Sequence, residues 1–501
     1  MVREVPINRL RQRVTHPGLL ARLIAPSEPP AAVQLARSAT GFDNDRLRRA
    51  PPGEKELVMN EDRYGLACTG STGAVQRLSR AQGHLLRFRP EVVEELDAAI
   101  AEDADCVMAR AARAWIGLMS SEWTDTRAAA ELVAGTRSID AREQAHLDAI
   151  RAWASGDMHA CGRLLDALLD AHPRDAIALY AGHQIDFFCG DAVNLRDRVV
   201  RARRGWDTQH PDFTALDGML AFGYEECGDY TRAEDIGRRA VERDADDVWA
   251  IHAVVHVLEM QARFDEGIAF LEARRANWAE GNFLNAHNGW HLALFLLERE
   301  DHPGALAIYD RMLHHAASPG AALEMLDASA LLWRLSLDGV DTGGRWAALA
   351  DAWAEKDPTP WYVFNDLHAI MAFVGAGRQA QAEQRVAQLE RYLREGDLRH
   401  ANHRMVAGAG LAAARALTAW GRGDDAAAVS ALAPVRHHLS VFGGSHAQRD
   451  AYQRTLLCAA LRGGHSTLVR QLLDERLAAK PGSQWNRMRD RQWRGLHFPA
   501  A

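Results

Sequence analysis

Paired cysteines, long apolar runs, strand patterns and an excess of positive charge are all scarce in these 501 residues. The six cysteines (Cys68, Cys106, Cys161, Cys189, Cys227 and Cys458) stand far apart, with no Cys-x-x-Cys pair. That spacing argues against a disulfide framework or a cysteine-type zinc site and predicts a reducing compartment. No segment approaches the ~20 apolar residues of a membrane-spanning helix. Arg9, Arg11 and Arg13 interrupt the stretch where a secretory signal needs its apolar core. The expectation is a cytoplasmic protein with no membrane partner. A formal net charge of -8 argues against a nucleic-acid partner, which needs a phosphate-neutralising surface. The basic cluster Arg201, Arg203 and Arg204 sits among acids at helical spacing and reads as a solvated helix face. A Gly-x-Gly-x-x-Gly run, a phosphate loop, a nucleophile elbow and a Cys–His pairing are also missing, so nothing points to nucleotide chemistry.

What the chain has in abundance is helical periodicity. From about Glu61 onward alanine, leucine, arginine and glutamate recur near every 3.6 residues. Short turns interrupt them at Gly156-Asp157, Gly190-Asp191, Gly228-Asp229, Ala262-Arg263, Glu300-Asp301, Gly339, Gly377-Arg378, Gly421 to Asp424 and Gly463-Gly464. Glycine accepts the left-handed conformation that ends a helix. The turns are mostly 34 to 39 residues apart, the length of one helix-turn-helix repeat, and the spacing lengthens toward the C-terminus. The run Gly228-Asp-Tyr-Thr-Arg-Ala233 resembles the turn and second helix of a tetratricopeptide repeat. These patterns predict an all-α fold: an α-solenoid of tetratricopeptide-like helix-turn-helix repeats forming a superhelix, over residues 61–480. Residues 1–60, broken by Pro26, Pro29, Pro30, Pro51 and Pro52, are expected to form an irregular arm. Residues 481–501 are a short aromatic tail (Trp485, Trp493, Phe498), expected to dock its rings.

Two i,i+4 histidine pairs, His252/His256 and His287/His291, lie 35 residues apart on successive first helices. Residues four apart share a helix face. Counted back from their turns, His146, His252, His256, His287, His291 and His368 fall within an arc of roughly 100° at 100° per residue. First helices line the inner surface of such arrays, so the arithmetic predicts an inward histidine stripe. His183 falls about 60° outside that arc by the same count. Imidazole suits zinc, iron, copper or nickel, so the four paired histidines are candidate ligands, with Glu259 as an added ligand or base; the expected cofactor is a divalent transition metal such as zinc, iron or manganese. The alternatives are rings packed between helices, or imidazoles that bind an anion or move protons.

Other residues qualify as binding candidates. Gly443-Gly444-Ser445-His446 opens a capped helix whose backbone N–H groups, with Arg449, could hold a carboxylate or phosphate. Asp366 could orient His368, a candidate acid–base residue. Trp290, between two histidines, is a candidate substrate wall beside Trp249 and Trp361.

The run Trp249-Ala-Ile-His252-Ala-Val-Val-His256-Val-Leu-Glu259, together with Asn288-Gly-Trp-His291, Asn365-Asp366-Leu-His368 and Gly443-Gly-Ser-His446-Ala-Gln448-Arg449-Asp450, is similar to the tetratricopeptide repeat protein 38 family. Asp62-Arg-Tyr64-Gly65 and Arg142-Glu143-Gln-Ala-His146 fit it as well. The resemblance spans roughly Glu61 to Gly464 and implies an α-helical repeat protein; it implies no particular reaction. Ala262 departs from the pattern where a turn glycine is expected.

Two functions follow. One is a helical-repeat binding protein whose concave, histidine-lined pocket (His146, His183, His252, His287, His368) takes a small molecule or a peptide. The other is a metal-dependent enzyme, a hydrolase or an oxygen-dependent one, built on the paired histidines.

Overall fold

The computed structural model describes residues 59–497. The predicted N-terminal arm, apart from its last two residues, and Phe498 lie outside the described residues. Apart from an antiparallel pair of three-residue strands, Met59–Glu61 and Ala67–Thr69, the described chain is helical. No described helix is long and apolar enough to cross a membrane.

The turns seen in sequence recur with one geometry. Gly156, Gly190, Gly228, Ala262, Glu300, Gly339, Gly377, Gly423 and Gly464 all adopt positive φ. In each, the next residue's N–H reaches back to a carbonyl five residues earlier, as in Asp229 to Tyr224 at 2.9 Å and Arg263 to Leu258 at 2.8 Å. This double-bonded stop satisfies carbonyls that a helix end otherwise leaves open. Where the following residue is aspartate, its carboxylate starts the second helix by accepting an N–H three residues on, at Asp157, Asp191, Asp229, Asp301 and Asp424. A Gly-Asp pair is therefore a stop and a start in two residues.

Helices pack on their next and next-but-one neighbours along the chain. The first helices of the central pairs (Phe213–Glu226, Val248–Met260, Asn285–Glu298, Ala322–Leu337 and Val363–Gly375) are buried around most of their circumference, whereas second helices such as Tyr230–Arg243 bury one stripe. The reason is that the chain folds back over itself. Ala401 donates to Gly156 O at 2.9 Å, His446 N–H to Glu226 at 3.0 Å, and Gly482 packs on Ala262. Later segments thus cross the turns of earlier units in order.

The helix His446–Arg462 consequently packs on both Val248–Met260 and Ala322–Leu337, while Asn285–Glu298 lies between those two. These four helices pack around one buried region. The last helix, Gln484–His497, buries the Trp485 ring, whose Nε1 donates to Asp338 at 2.7 Å; Trp493 is half-buried.

Candidate metal centre

The two central first helices carry the four histidines inward. Val248–Met260 supplies His252 and His256, and Asn285–Glu298 supplies His287 and His291. Both helices read as nearly continuous apolar runs, and the histidines are the polar exceptions. One ring nitrogen from each of the four lies within 4.8 Å of the others. Ring centroids stand 4.4 Å apart for His252–His256 and His256–His291, 4.9 Å for His252–His287 and His287–His291, and 5.3 Å for His252–His291. Imidazoles bound to one ion at ~2.1 Å have centroids ~4.5 Å apart at a right angle and ~5.2 Å apart at a tetrahedral one. The observed spacings fit that requirement.

Three carboxylates stand behind three of the rings, each from a different helix. Glu259 Oε2 accepts the His291 Nδ1 proton at 2.9 Å, and Asp327 Oδ2 meets His287 Nδ1 at 2.7 Å. Glu225 Oε2 lies 3.5 Å from His256 Nδ1, a longer contact. A carboxylate on the outer nitrogen fixes the tautomer and leaves the inner nitrogen's lone pair free, the usual arrangement around histidine metal ligands.

The inner nitrogens have no protein partner. Both nitrogens of His252 and His256, and Nε2 of His291, are buried without a hydrogen bond. One ion takes one nitrogen from each ring and so relieves three of these atoms; at about 1–3 kcal/mol for each unsatisfied buried group, those three cost on the order of 3–9 kcal/mol together. A merely packed histidine cluster carries that penalty with no return. Burial, then the neighbouring imidazoles, holds His252, His256 and His291 well below the ordinary histidine range, so they are neutral at pH 7 and able to ligate. Burial, then Glu226 and Glu259, pushes the Glu225 carboxyl well up.

A second acidic group, Glu225, Glu226 and His256, is also compact enough for an ion. Glu226, however, already accepts the His446 N–H at 3.0 Å and a donation from Arg449 at 3.3 Å. The four-histidine group is the more complete ligand set.

The remaining candidates scatter. Glu259 is drawn to the outer nitrogen of His291 and stands 3.8 Å from Lys480, so it braces a ring from behind rather than facing the inner nitrogens. His146 is saturated elsewhere, by Asp175 at 2.9 Å and Trp115 Nε1 at 3.1 Å. His183 meets Met219 O at 3.2 Å and packs edge-on to Trp249, beside the group but not in it. Trp290 is fully buried and stacks on His287 with centroids 5.3 Å apart. Asp366 does not orient His368: it pairs with Arg385 at 3.1 Å, whereas His368 Nδ1 turns to its own helix, at Phe364 O, 2.7 Å away. The helix start at His446 and Arg449 does hold a carboxylate, but it is the chain's own Glu226; Arg449 also donates to Gly444 O.

Sequence reasoning missed Glu225 and Asp327. Glu225 had a readable signal: it lies three residues before left-handed Gly228, as Glu259 lies three before left-handed Ala262. Successive layers repeat one carboxylate position. Asp327 has no such register mark.

Compared with models of known protein families, the chain matches none.

Proposed function

We propose that this chain is a metal-dependent protein in which four histidines hold one divalent transition ion inside a tetratricopeptide-like helical array, and that it acts on a small molecule there. The observation that carries this reading is the convergence of four imidazoles within 4.8 Å, with carboxylates hydrogen-bonded to two outer nitrogens and a third 3.5 Å from His256 Nδ1. Zinc, iron and manganese all accept such donors. Four neutral ligands leave the ion's charge undiminished, and a bound ion supplies Lewis acidity toward a substrate oxygen or a bound water. Hydrolysis and an oxygen-dependent step both belong to that chemistry.

The chain's own contribution is positioning. Glu259 and Asp327 hold the rings of His291 and His287 in register, Glu225 stands behind His256, and the helices exclude bulk water, which strengthens every charge interaction within. His287 keeps 18% of its side chain exposed and marks the approach. An interior crossed by the C-terminal segments favours a small molecule over a peptide. Nine left-handed turns at repeat spacing support the reading of a helix-turn-helix repeat array. Six unpaired cysteines support a cytoplasmic setting.

The test is elemental analysis of the purified full chain, as isolated and after reconstitution with zinc, iron(II) or manganese(II). About one equivalent of one of these is expected, falling below about 0.2 in a His256→Ala/His291→Ala double variant whose helical circular dichroism is intact. A wild-type chain that stays below that level after reconstitution contradicts the proposal.

A further inference from the structure

Among the described residues, buried arginines follow a rule with one exception. Arg142 holds Asp175 at 2.7 Å, Arg198 holds Asp186 at 2.7 Å, Arg385 holds Asp366 at 3.1 Å and Arg454 holds Glu298 at 2.7 Å. Arg334, on Ala322–Leu337 and 1% exposed, holds none: no carboxylate among the described residues lies within ion-pair distance of its guanidinium. Its protein hydrogen bonds go to two backbone carbonyls, Ala330 at 2.9 Å and Ala447 at 2.6 Å. A guanidinium has five donors. Glu259 and Asp450 act on Arg334 only from beyond ion-pair distance; a buried cation without a direct partner is among the most costly groups a fold can carry, and the cost falls when an anion joins it.

Arg334 is also placed beside the four histidines. Its Cζ lies 5.4 Å from the centre of the Trp290 ring, the ring that stacks on His287 and meets His291 at 4.9 Å. Arg334 donates to Ala447 O on the helix that carries Tyr452, and its own helix also packs on the one that carries His368; the Tyr452 hydroxyl and His368 Nε2 are both buried. Neither has a protein hydrogen-bond partner, and the two rings stand 6.4 Å apart. They come from two further helices, His446–Arg462 and Val363–Gly375. Phe364 packs on His368 and Phe442 on Tyr452, giving the surroundings an apolar, aromatic character. Three helices therefore bring a cation with no carboxylate at ion-pair distance, an unbonded hydroxyl and an unbonded imidazole nitrogen into the core beside Trp290.

We propose that the interior beside the four histidines takes a small carboxylate-bearing molecule with an apolar body, its carboxylate held by the Arg334 guanidinium together with the Tyr452 hydroxyl and His368 Nε2. A planar fork of N–H donors matches a carboxylate, and a single arginine in aromatic surroundings suits one negative charge rather than the nearly two of a phosphate monoester. The Trp290 ring then separates the bound acid's anchor from the metal ligands, so that the body of the molecule is directed along Trp290 toward His287 and His291. This assignment rests on the proposed function only in that the ion is what acts on the bound acid; the anchor itself requires no metal.

The test is calorimetric titration of the full chain, at known metal content, with acetate, benzoate and octanoate, with the matching amides, and with inorganic phosphate. At least one acid is expected to bind about tenfold or more tightly than its own amide, the difference expected of a charge-assisted hydrogen bond. Arg334→Met is expected to weaken that acid by about tenfold to a hundredfold and to leave the amide unchanged. Tyr452→Phe and His368→Gln, which keep shape, are expected to weaken it about three- to tenfold each, and they serve where Arg334→Met does not fold. The proposal is overturned if acids and amides bind alike, if none of the three acids binds, if phosphate binds more tightly than every acid, or if the folded variants keep full acid affinity. A metal-loaded protein without acid preference overturns this proposal alone. Arg334-dependent acid binding by a chain that takes up no metal overturns the metal centre alone.

Discussion

Replacing Glu259 separates two roles that a buried carboxylate beside a histidine cluster can play. In the structure it accepts the Nδ1 proton of His291 at 2.9 Å and stands 3.8 Å from Lys480, behind the ring relative to the other histidines. A brace of this kind acts on metal affinity through ring orientation and ligand basicity. Glu259→Gln keeps an oxygen able to accept the same proton and removes only the charge. The difference between a charge-assisted and a neutral hydrogen bond is about 1–1.5 kcal/mol, which corresponds to roughly tenfold in metal affinity. Glu259→Ala removes the acceptor as well and frees the ring; about a hundredfold, or ~2.7 kcal/mol, is expected. His291→Ala removes a ligand and should weaken binding well beyond either. The assay is competition between the protein and a chromophoric chelator at fixed pH and salt, with apo-protein folding checked by circular dichroism. The graded order Gln, Ala at 259, then His291→Ala is the signature of a brace. Loss at Glu259→Ala equal to that at His291→Ala would mean that the carboxylate is itself a ligand, and no loss in either Glu259 variant would refute the coupling.

Three further outcomes follow from particular contacts. Burial pushes His183 down to about 3, so between pH 6.5 and about 3 the unfolded chain binds a proton that the folded chain does not. Stability should fall as pH drops through that window, by at most about 1.4 kcal/mol per pH unit from this group; His183→Gln should flatten urea-denaturation stability against pH there, and an unchanged slope would remove His183 as the cause. Gly443 and Gly228 both have positive φ, but a Cβ on Gly443 would stand 2.5 Å from Phe188 O, whereas Gly228 has nothing within 4 Å. Gly228→Ala should cost about 1–2 kcal/mol from backbone conformation alone, and Gly443→Ala distinctly more, with faster proteolysis around residues 435–450; equal costs would contradict the described crossing of the chain. Glu298 accepts from Arg454 at 2.7 Å, Ser483 at 2.9 Å and Trp485 N–H at 3.2 Å; Arg454 keeps Asp450 at 2.7 Å, so Glu298→Ala should cost about 1–3 kcal/mol through the donors it leaves unpaired. Proteolysis should then release the C-terminal helix first, and a melting temperature unchanged from wild type would sink that reading.

The parts of this architecture that are legible in the sequence are the local ones. A Gly-Asp pair states its own geometry, because the positive φ and the capping carboxylate act within four residues. Ala262 and Glu300 adopt the same left-handed turn without glycine, and were still found because periodicity on either side required a break. The histidine pairs were legible for the same reason: i,i+4 spacing on two neighbouring first helices puts four rings on facing surfaces. What brackets them was not. Asp327 reaches His287 across 40 residues, and Glu226 meets His446 across 220. The latter pair inverts the expectation for the Gly443-Gly444-Ser445-His446 segment, whose anion-holding character is real but is used by the chain's own glutamate. Arg334 carried no signal either, since its meaning lies in the carboxylate missing around it, which only packing reveals.

X-ray absorption at the edge of the bound metal tests the central claim most directly. The account predicts a first shell dominated by imidazole nitrogens at ~2.0–2.2 Å, four of them in the wild type, with fewer in His256→Ala. A shell built of carboxylate and water oxygens alone, or one that the loss of His256 leaves unchanged, would contradict it.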